Sequence, residues 1–357
     1  MNKERINRVY GKMKEMNLDY LLITDSSSIN YLTDVRNWPG ERFYCLMLST
    51  KREPVFFLNK LFAVSKDLPI EEVWFADTED PTIYLAKYID DHSVVGIDKF
   101  MAAKWLLSLM EKKQATYVNG SLAVDGVKMV KEEKEIELMR KASLINDAAI
   151  EQLAATIKEG DSEDDIAARL LPIYQSMEAY EYSFEPIVAF QVKGSDPHHG
   201  HDGTILQEGD SITIDMGCKY QGYCSDMTRT YFYKKISERQ KYIYNLVRKA
   251  NESAEAIIKP GVRLCDIDKT ARDIIANEGY GEYFTHRLGH FIGRDCHEFA
   301  DVSAAFDLPV EEGMIFSIEP GIYLPGEFGV RIEDLVLVTK DGCEILNHYS
   351  KDIQIIE

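Results

Sequence analysis

One hairpin near the middle of the chain decides the fold of the larger part of the protein. Its first strand reads Ser211-Ile212-Thr213-Ile214-Asp215-Met216. A short loop containing Gly217 and Gly222 separates this run from a second apolar run, residues 223–233. Two β-rich runs joined by a glycine-containing loop are typical of a hairpin, so we predict that the two runs pair antiparallel.

Each strand of this hairpin carries an aspartate, and Asp is depleted from strand interiors. Side chains alternate between the two faces of a strand, so Ile212 and Ile214 share one face and Asp215 lies on the other. Asp226 lies in the second strand. Either aspartate alone is commonly a strand-end residue beside a turn, so neither by itself predicts a site.

Two further acids lie in strand-like segments nearer the carboxyl end. Glu319 follows the apolar run 314–318, and Glu333 lies inside the apolar run 330–339. A carboxylate within a buried strand must be paired or bound to a metal, because burying it bare is prohibitive. Glu319 could instead be a turn residue, and Glu333 could pair with Arg331 on the same strand face. Four such carboxylates together are harder to explain in these ways.

Histidines gather in the same part of the chain, since six of the eight lie between His198 and His297. Four carboxylates and one histidine suit two adjacent divalent cations, and oxygen-rich sites favour Mn²⁺ or Co²⁺ over a thiolate zinc site. Such ions lie roughly 3.5–4 Å apart and lower the pKa of a bound water towards about 7. A hydroxide nucleophile is then available at neutral pH.

The remaining patterns predict two domains with a boundary near residue 125. In residues 1–125, helical patterns at 2–17, 60–67 and 100–112 alternate with strand-like runs at 20–24, 43–49, 54–58 and 94–97, which predicts a small α/β domain. In residues 126–357, helices are predicted at about 132–158, 162–178, 237–258 and 264–278, and Ser162 and Ser237 begin capping boxes. Helices grouped with antiparallel strands predict an α+β domain.

The composition excludes several classes of protein. The chain has 357 residues, with 60 acidic and 41 basic side chains and a formal net charge of −19. This charge argues against a nucleic-acid partner and against an anionic membrane surface. Hydrophobic residues make up 45% of the chain, which excludes disorder as a class. No apolar run approaches a membrane span, the first residues lack a signal sequence, and the six cysteines form no C-x-x-C pair, so we expect a cytoplasmic protein with reduced thiols.

The acids and histidines occur in an ordered set of motifs within residues 184–334. This set resembles the pita-bread metallopeptidases, the family of Xaa-Pro dipeptidase (prolidase), Xaa-Pro aminopeptidase and methionine aminopeptidase. The resemblance implies an α/β amino-terminal domain like that of creatinase and prolidase, residues 1–125, and a pita-bread (creatinase/aminopeptidase-like) catalytic domain, residues 126–357. The motifs are Asp215-Met216-Gly217, Ser225-Asp226-Met227-Thr228-Arg229-Thr230, Thr285-His286-Arg287-Leu288-Gly289-His290, Ser317-Ile318-Glu319-Pro320-Gly321 and Gly329-Val330-Arg331-Ile332-Glu333-Asp334.

The resemblance also implies roles for individual residues. Glu319 would be a metal ligand and the general base. His198 and His297 would contact the substrate and the tetrahedral intermediate. Arg331 would orient Glu333 or the substrate, and Phe184 would form a wall of the proline pocket. The full set of implied ligands for the two metal ions is Asp215, Asp226, His290, Glu319 and Glu333.

Three residues depart from the family pattern around the substrate. Phe291 and Arg294 stand where the family usually has glycine and an apolar residue, and Asp301 stands where many relatives have Arg. We hypothesise that Arg294 anchors the carboxylate of a dipeptide substrate, although an arginine on a pocket rim is about equally common. The other histidines carry no implied role; His199 and His201 are interpreted as exposed loop residues, and His286 as structural.

The main functional prediction is a Mn²⁺-dependent Xaa-Pro dipeptidase, with Co²⁺ or Zn²⁺ as alternatives. Residues 37–42 resemble a prolidase loop that reaches the active site of a partner subunit, which implies a homodimer. The nearest alternative is an Xaa-Pro aminopeptidase that cuts longer peptides. A metal-free hydrolase such as creatinase and a non-catalytic binding module are further alternatives, but both typically lose metal ligands that this chain keeps.

Overall fold

The structure is a computed structural model that describes residues 1–62 and 68–357. The chain divides into two compact units, Met1–Lys128 and Met129–Glu357. The sequence places the boundary at residue 125, three residues before the division in the structure. Each unit has its own hydrophobic clusters.

The first unit is a mixed sheet between two layers of helices. Its strands lie in the order β4-β3-β2-β1-β5-β6 within the described residues. Alternation along β1 sends Leu21 and Ile23 into one core and Tyr20 and Leu22 into the other. The elements are α1 (Lys3–Glu15), β1 (Tyr20–Ile23), α2 (Ser26–Thr33), β2 (Cys45–Ser49), β3 (Val55–Asn59), β4 (Glu71–Phe75), α3 (Pro81–Leu85), β5 (Val94–Ile97), α4 (Ala103–Lys112), β6 (Thr116–Asn119) and α5 (Leu122–Lys128).

The α/β class predicted for this unit is therefore confirmed. The helix predicted at 60–67 is not tested over residues 63–67, which lie outside the described residues. Residues 60–62 are not helical.

The second unit has the predicted α+β character. Its two larger sheets have the strand orders β20-β12-β9-β8 and β14-β13-β15-β18-β19. The helices are α6 (Glu133–Ala154), α7 (Glu163–Ser176), α8 (Glu238–Ala256) and α9 (Leu264–Asn277). The strands are β7 (Glu181–Tyr182), β8 (Ile187–Phe190), β9 (Ser211–Met216), β10 (Cys218–Tyr220), β11 (Tyr223–Cys224), β12 (Met227–Tyr233), β13 (Gly289–Phe291), β14 (Glu298–Val302), β15 (Ile315–Ile318), β16 (Gly321–Leu324), β17 (Phe328–Arg331), β18 (Asp334–Val338), β19 (Cys343–Ile345) and β20 (Ile355–Ile356).

The antiparallel pairing predicted for the two runs is confirmed, because residues 211–216 of β9 pair with residues 227–232 of β12. The connection is not a simple loop, since β10 and β11 pair with each other between these two strands. Ile212 and Ile214 lie in the hydrophobic core, so Asp215 lies on the opposite face as predicted. The predicted helix starts are confirmed as well. The side chains of Ser162 and Ser237 each accept a hydrogen bond from the third residue of the helix, and both capping boxes are complete.

Two predicted strands are interrupted at the acids that they carry. Asp226 lies between β11 and β12, and Glu333 lies between β17 and β18. The predictions that Asp226 and Glu333 lie inside strands are both wrong. β11 pairs with β10 while β12 joins β9 in another sheet, and β17 pairs with β16 while β18 joins β15 in another sheet. At this change of sheet the Glu333 amide donates to the Thr228 carbonyl at 3.1 Å. Because Asp226 and Glu333 lie outside regular strands, strand alternation does not fix the direction of their side chains.

Two glycines of the motifs allow chain segments to approach closely beside the ligands. A Cβ on Gly289 would lie 1.8 Å from the Ser317 carbonyl oxygen, and a Cβ on Gly217 would lie 2.1 Å from the Ser225 carbonyl oxygen. No side chain fits at such distances, so only glycine is compatible with these backbone paths. The approach of Gly289 to Ser317 brings the segments of His290 and Glu319 together.

A separate observation concerns membranes. Over residues 1–62 and 68–357, none of the helices combines the length and the apolar character that crossing a bilayer requires.

Candidate metal centre

The structure brings the five predicted metal ligands to one cavity of about 940 Å³. Each of these five residues lies on or beside a strand end of the second unit. Asp215 is in β9, Asp226 precedes β12, His290 is in β13, Glu319 follows β15, and Glu333 lies between β17 and β18. The cavity size falls within the range of about 300–1,000 Å³ that is typical of small-ligand sites.

Three of the four carboxylates share one arrangement, in which one oxygen is held by a donor and the other has no partner. Asp215 Oδ2 accepts from Arg331 at 2.6 Å, Glu333 Oε2 accepts from Thr228 at 2.7 Å, and Asp226 Oδ2 accepts from Cys296 Sγ at 3.3 Å.

The second oxygens of the same three residues, Asp215 Oδ1, Asp226 Oδ1 and Glu333 Oε1, are buried without a hydrogen-bond partner among the described residues. A buried carboxylate oxygen without a partner is costly, and a cation is the partner that such atoms fit. The residues present therefore suit divalent metal ions.

The electrostatics of the carboxylates lead to the same conclusion. Burial raises the pKa of Asp226 and of Glu333 well above the usual range, and the neighbouring carboxylates add to the effect. Burial also raises the pKa of Glu319 to about 8. Like charges held together in a buried site repel one another, and bound cations would reverse this effect and favour the ionised forms.

His290 is held in the form that binds metals. Its Nδ1 lies 3.2 Å from the Phe291 carbonyl oxygen, and because a carbonyl only accepts, Nδ1 carries the proton. Nε2 therefore has a free lone pair, and it lies 3.5 Å from Asp226 Oδ2 and 3.6 Å from Glu319 Oε1. Burial lowers the pKa of His290 to about 3, so the ring is neutral. A neutral imidazole oriented by a backbone carbonyl is the usual ligand arrangement.

Arg331 contacts a different ligand from the one that the resemblance implies. Its Nη2 donates to Asp215 Oδ2 at 2.6 Å, while its Nε donates to Thr228 Oγ1 at 3.1 Å. Since Thr228 in turn donates to Glu333, the arginine acts on Glu333 only through this hydroxyl. Arg331 also donates to the carbonyl of Pro197, the residue before His198, at 3.3 Å. It therefore ties two of the acids and the loop of a third site residue together.

Of the five residues predicted to contact the substrate, His198, His297, Phe184 and Arg331 line the cavity. His297 packs edge-on against His290, with the ring centroids 4.2 Å apart. Burial lowers the pKa of His297 and the positive charge of Arg287 adds to the shift, so this ring is largely neutral at pH 7. Neutral imidazoles beside the ligands can donate a hydrogen bond to a substrate oxygen.

Arg294, by contrast, is not among the described residues that line the cavity. Its guanidinium lies over the ring of Tyr223, 5.2 Å from the centroid, and Nη1 is 3.5 Å from the Tyr223 hydroxyl. The structure does not bring this residue to the other predicted site residues. A different arginine, Arg287, lines the cavity.

Several residues that sequence reasoning left without a role also line the cavity. His199 and His201 were interpreted as exposed, but both are half-buried and bonded to acids at the start of α7. His199 Nε2 lies 2.8 Å from Glu163 Oε2, and His201 Nδ1 lies 2.7 Å from Asp164 Oδ1. The sequence signal for these acids is the start of α7 at the Ser162 capping box, because acidic side chains are favoured in the first turn of a helix. His286 is bonded to the Tyr323 hydroxyl at 2.8 Å, in keeping with a structural role.

The second unit thus has the fold and the acid-rich centre of a metal-dependent hydrolase, and comparison with known proteins gives its family. Residues 137–340 match the model of metallopeptidase family M24, and residues 5–130 match the creatinase/prolidase N-terminal domain. The chain belongs to metallopeptidase family M24, whose members depend on metal ions, and it has the pita-bread catalytic domain. This confirms the predicted fold class and the metallopeptidase assignment.

Individual relatives resemble the chain over nearly its whole length. YkvY of Bacillus subtilis (strain 168), provisionally named a dipeptidase, is 36% identical over 363 residues, which cover 99% of both proteins. The structure of the prolidase from Thermococcus sibiricus has a TM-score of 0.92 and 31% identity, with 99% of both chains covered. The structure of the Xaa-Pro dipeptidase from Bacillus anthracis has a TM-score of 0.88 and 31% identity, again with 99% of both chains covered.

Proposed function

We propose that this metallopeptidase is an Xaa-Pro dipeptidase that uses two divalent metal ions. One observation carries the proposal: buried oxygens of Asp215, Asp226 and Glu333, without hydrogen-bond partners among the described residues, converge with the neutral His290 on a cavity that His198 and His297 also line. Such a set can hold cations and a small polar substrate together. The prolidase and Xaa-Pro dipeptidase structures that resemble the chain support the choice of substrate.

The metal ions would be held by the four carboxylates and His290. When bound, a pair of such ions lowers the pKa of water and stabilises negative charge on a carbonyl oxygen. The donor set is four carboxylates and one imidazole, which favours Mn²⁺ or Co²⁺ over metals that prefer thiolates. Cys296 does not alter this preference in our proposal, because its thiol donates to Asp226.

The protein residues supply the proton transfers and the positioning. We assign Glu319 as the general base, which takes a proton from the attacking water on its carboxylate and passes it to the leaving proline nitrogen. Its Oε1 is oriented by the Ser317 hydroxyl at 3.4 Å. His198 and His297 line the cavity, where their N–H groups would donate to the carbonyl oxygen as it gains negative charge and the carbonyl carbon becomes tetrahedral. Phe184 supplies an apolar wall for the proline ring.

An aminopeptidase acting on longer Xaa-Pro peptides is the second candidate. The observation in its favour is the cavity volume of about 940 Å³, which lies near the upper end of the range of about 300–1,000 Å³ for small-ligand sites. In the dipeptidase proposal, residues 37–42 of a partner subunit would occupy part of this space in a homodimer. Light scattering coupled to size-exclusion chromatography tests the homodimer, and a monomeric mass would contradict it.

The test of function compares substrates that differ only in length and in proline content. The protein, stripped with chelator and reloaded with Mn²⁺, is assayed with Ala-Pro, Ala-Pro-Ala and Ala-Ala, and Glu319→Gln serves as the inactive control. We expect the reloaded wild-type protein to hydrolyse Ala-Pro but not Ala-Pro-Ala or Ala-Ala. The metal-stripped protein and Glu319→Gln should not hydrolyse Ala-Pro. Cleavage of Ala-Pro-Ala without cleavage of Ala-Pro would favour the aminopeptidase. Equal turnover before and after metal removal would favour a metal-free, creatinase-like hydrolase.

A further inference from the structure

A half-exposed arginine at the cavity has no role in the proposed chemistry. Arg287 lines the cavity, and 36% of its side chain is exposed. The other arginine lining the cavity, Arg331, is only 4% exposed and donates to four groups of the protein. Of the two, Arg287 is therefore the cation that is open to a ligand.

The position of Arg287 is fixed by an acid on the neighbouring strand. Its Nη1 lies 2.9 Å from Asp301 Oδ1. Asp301 is in β14 directly opposite the metal ligand His290 of β13. Because Arg287 precedes His290 by only three residues, the ion pair and the proposed ligand His290 lie on the same two neighbouring segments. This pairing uses one end of a planar group that carries five N–H donors, which leaves donors that can bind a carboxylate.

Arg287 borders the same cavity as His290, His297 and Glu319. A substrate bound at these three residues would therefore lie in the cavity that the guanidinium faces. Arginine forms two parallel hydrogen bonds with a carboxylate, which gives both affinity and orientation.

A dipeptide and a longer peptide differ at one chemical group next to the scissile bond. In Xaa-Pro the proline carries a free carboxylate, whereas in Xaa-Pro-Xaa the same carbon forms a neutral amide. A fixed cation at this place would favour the dipeptide, because a charged acceptor gains more from the guanidinium than an amide oxygen does.

We propose that Arg287, held in place by Asp301, binds the C-terminal carboxylate of the substrate and so determines the preference for dipeptides. The inference rests on the proposed function, because it names the residue that recognises one end of the proposed substrate. Arg287 replaces Arg294 in this role, because the guanidinium of Arg294 lies over the ring of Tyr223.

The experiment measures KM and kcat for Ala-Pro and for Ala-prolinamide with wild type, Arg287→Gln, Arg287→Lys and the matched control Arg294→Gln. We expect Arg287→Gln to raise KM for Ala-Pro by about 10- to 100-fold, the effect of losing one charge-assisted contact, with a much smaller change in kcat. KM for Ala-prolinamide should change little, and Arg287→Lys should restore part of the loss. Arg294→Gln should behave as wild type.

A second readout does not depend on catalysis. Isothermal titration of the Mn²⁺-loaded protein with L-proline and with L-prolinamide should show a preference for the free acid that Arg287→Gln abolishes and Asp301→Asn reduces. Circular dichroism checks that each variant is folded.

The outcomes separate the two proposals. Wild-type protein that fails to cleave Ala-Pro contradicts the proposed function, and the assay then uses whichever dipeptide of an Ala-Ala, Ala-Leu and Leu-Ala panel is cleaved, or the titration alone. An unchanged KM for the free acid in Arg287→Gln, or an unchanged preference for L-proline, overturns the role of Arg287. A rise in KM for Arg294→Gln alone would return the role to Arg294.

Discussion

The ion pair between Arg331 and Asp215 predicts a large and localised loss of stability when the arginine is removed. The perturbation is Arg331→Met, which keeps an apolar stem of similar length and deletes the charge. Arg331 Nη2 and Asp215 Oδ2 are 2.6 Å apart, and the two side chains are 4% and 12% exposed. The substitution leaves a buried carboxylate beside other carboxylates without its counter-charge, and it removes the donors to Thr228 and Tyr323.

The magnitude follows from this burial. Two unit charges about 4 Å apart attract by about 4 kcal/mol at an effective dielectric constant of about 20. Removing one partner of a buried pair costs about 3–5 kcal/mol for the same reason. The matched control is Arg239→Met, because Arg239 donates two hydrogen bonds to Glu327 but the two side chains are 50% and 45% exposed. An exposed pair of this kind contributes at most about 1 kcal/mol.

The assay is urea unfolding in the presence of chelator, so that metal binding does not enter the free energy. All three tryptophans, Trp38, Trp74 and Trp105, belong to the unit Met1–Lys128. Tryptophan fluorescence therefore reports that unit, while far-ultraviolet circular dichroism also follows the unit that holds Arg331.

With a denaturant slope of about 2–3 kcal/mol per molar, a loss of about 4 kcal/mol lowers the midpoint by about 1.5 M. We expect this shift in the dichroism transition of Arg331→Met and a much smaller one in Arg239→Met. A midpoint for Arg331→Met that lies within about 0.4 M of the control would refute the reasoning, because the pair would then contribute no more than a surface ion pair.

Three further predictions concern pH, metal affinity and turnover. Burial, together with a nearby aspartate, raises the pKa of Glu255 from 4.5 to about 7, so the folded protein binds more protons than the unfolded one and loses stability as pH rises between these values. Relative to wild type, Glu255→Gln should therefore gain about 3 kcal/mol in unfolding free energy between pH 4 and pH 8 in chelator, and a constant difference would contradict this. Thr228→Val removes the donor to Glu333 and should weaken Mn²⁺ binding about 10- to 100-fold in calorimetry, whereas Thr228→Ser should bind as wild type. His198→Asn should lower kcat/KM for Ala-Pro by about 100-fold or more while His201→Asn changes it little, and equal losses in both would remove the special role of His198.

The parts of the fold that sequence could predict are those governed by local chemistry. Alternation along β9 gives the face of Asp215, and the serine caps give the starts of α7 and α8. The strands β4 and β6 were not predicted, because they lie at the two edges of their sheet and are largely exposed or half-buried, so they lack a continuous apolar pattern. These two segments are strands because β4 pairs with β3 and β6 pairs with β5.

The candidate site shows the same division between local and long-range information. The five proposed ligands could be named from the sequence because their motifs resemble those of a known family, and the structure brings them to one cavity. The breaks in the strands at Asp226 and Glu333 could not be predicted, since each arises where the chain passes from one sheet to another. The sequence also could not show which of Arg287 and Arg294 enters the cavity. The direction of a long side chain depends on distant partners, which are Asp301 for Arg287 and Tyr223 for Arg294.

The central claim is that two metal ions held by these five side chains support the hydrolysis of Xaa-Pro dipeptides, and a metal titration tests it most directly. Chelator-treated protein is titrated with Mn²⁺ while bound metal per chain and turnover of Ala-Pro are measured on the same samples. The account predicts no turnover without metal, a rise in turnover as metal binds, and saturation at two ions per chain, with Glu333→Gln binding less metal. Full turnover in metal-free protein, or saturation of binding without any turnover of Ala-Pro, would contradict it.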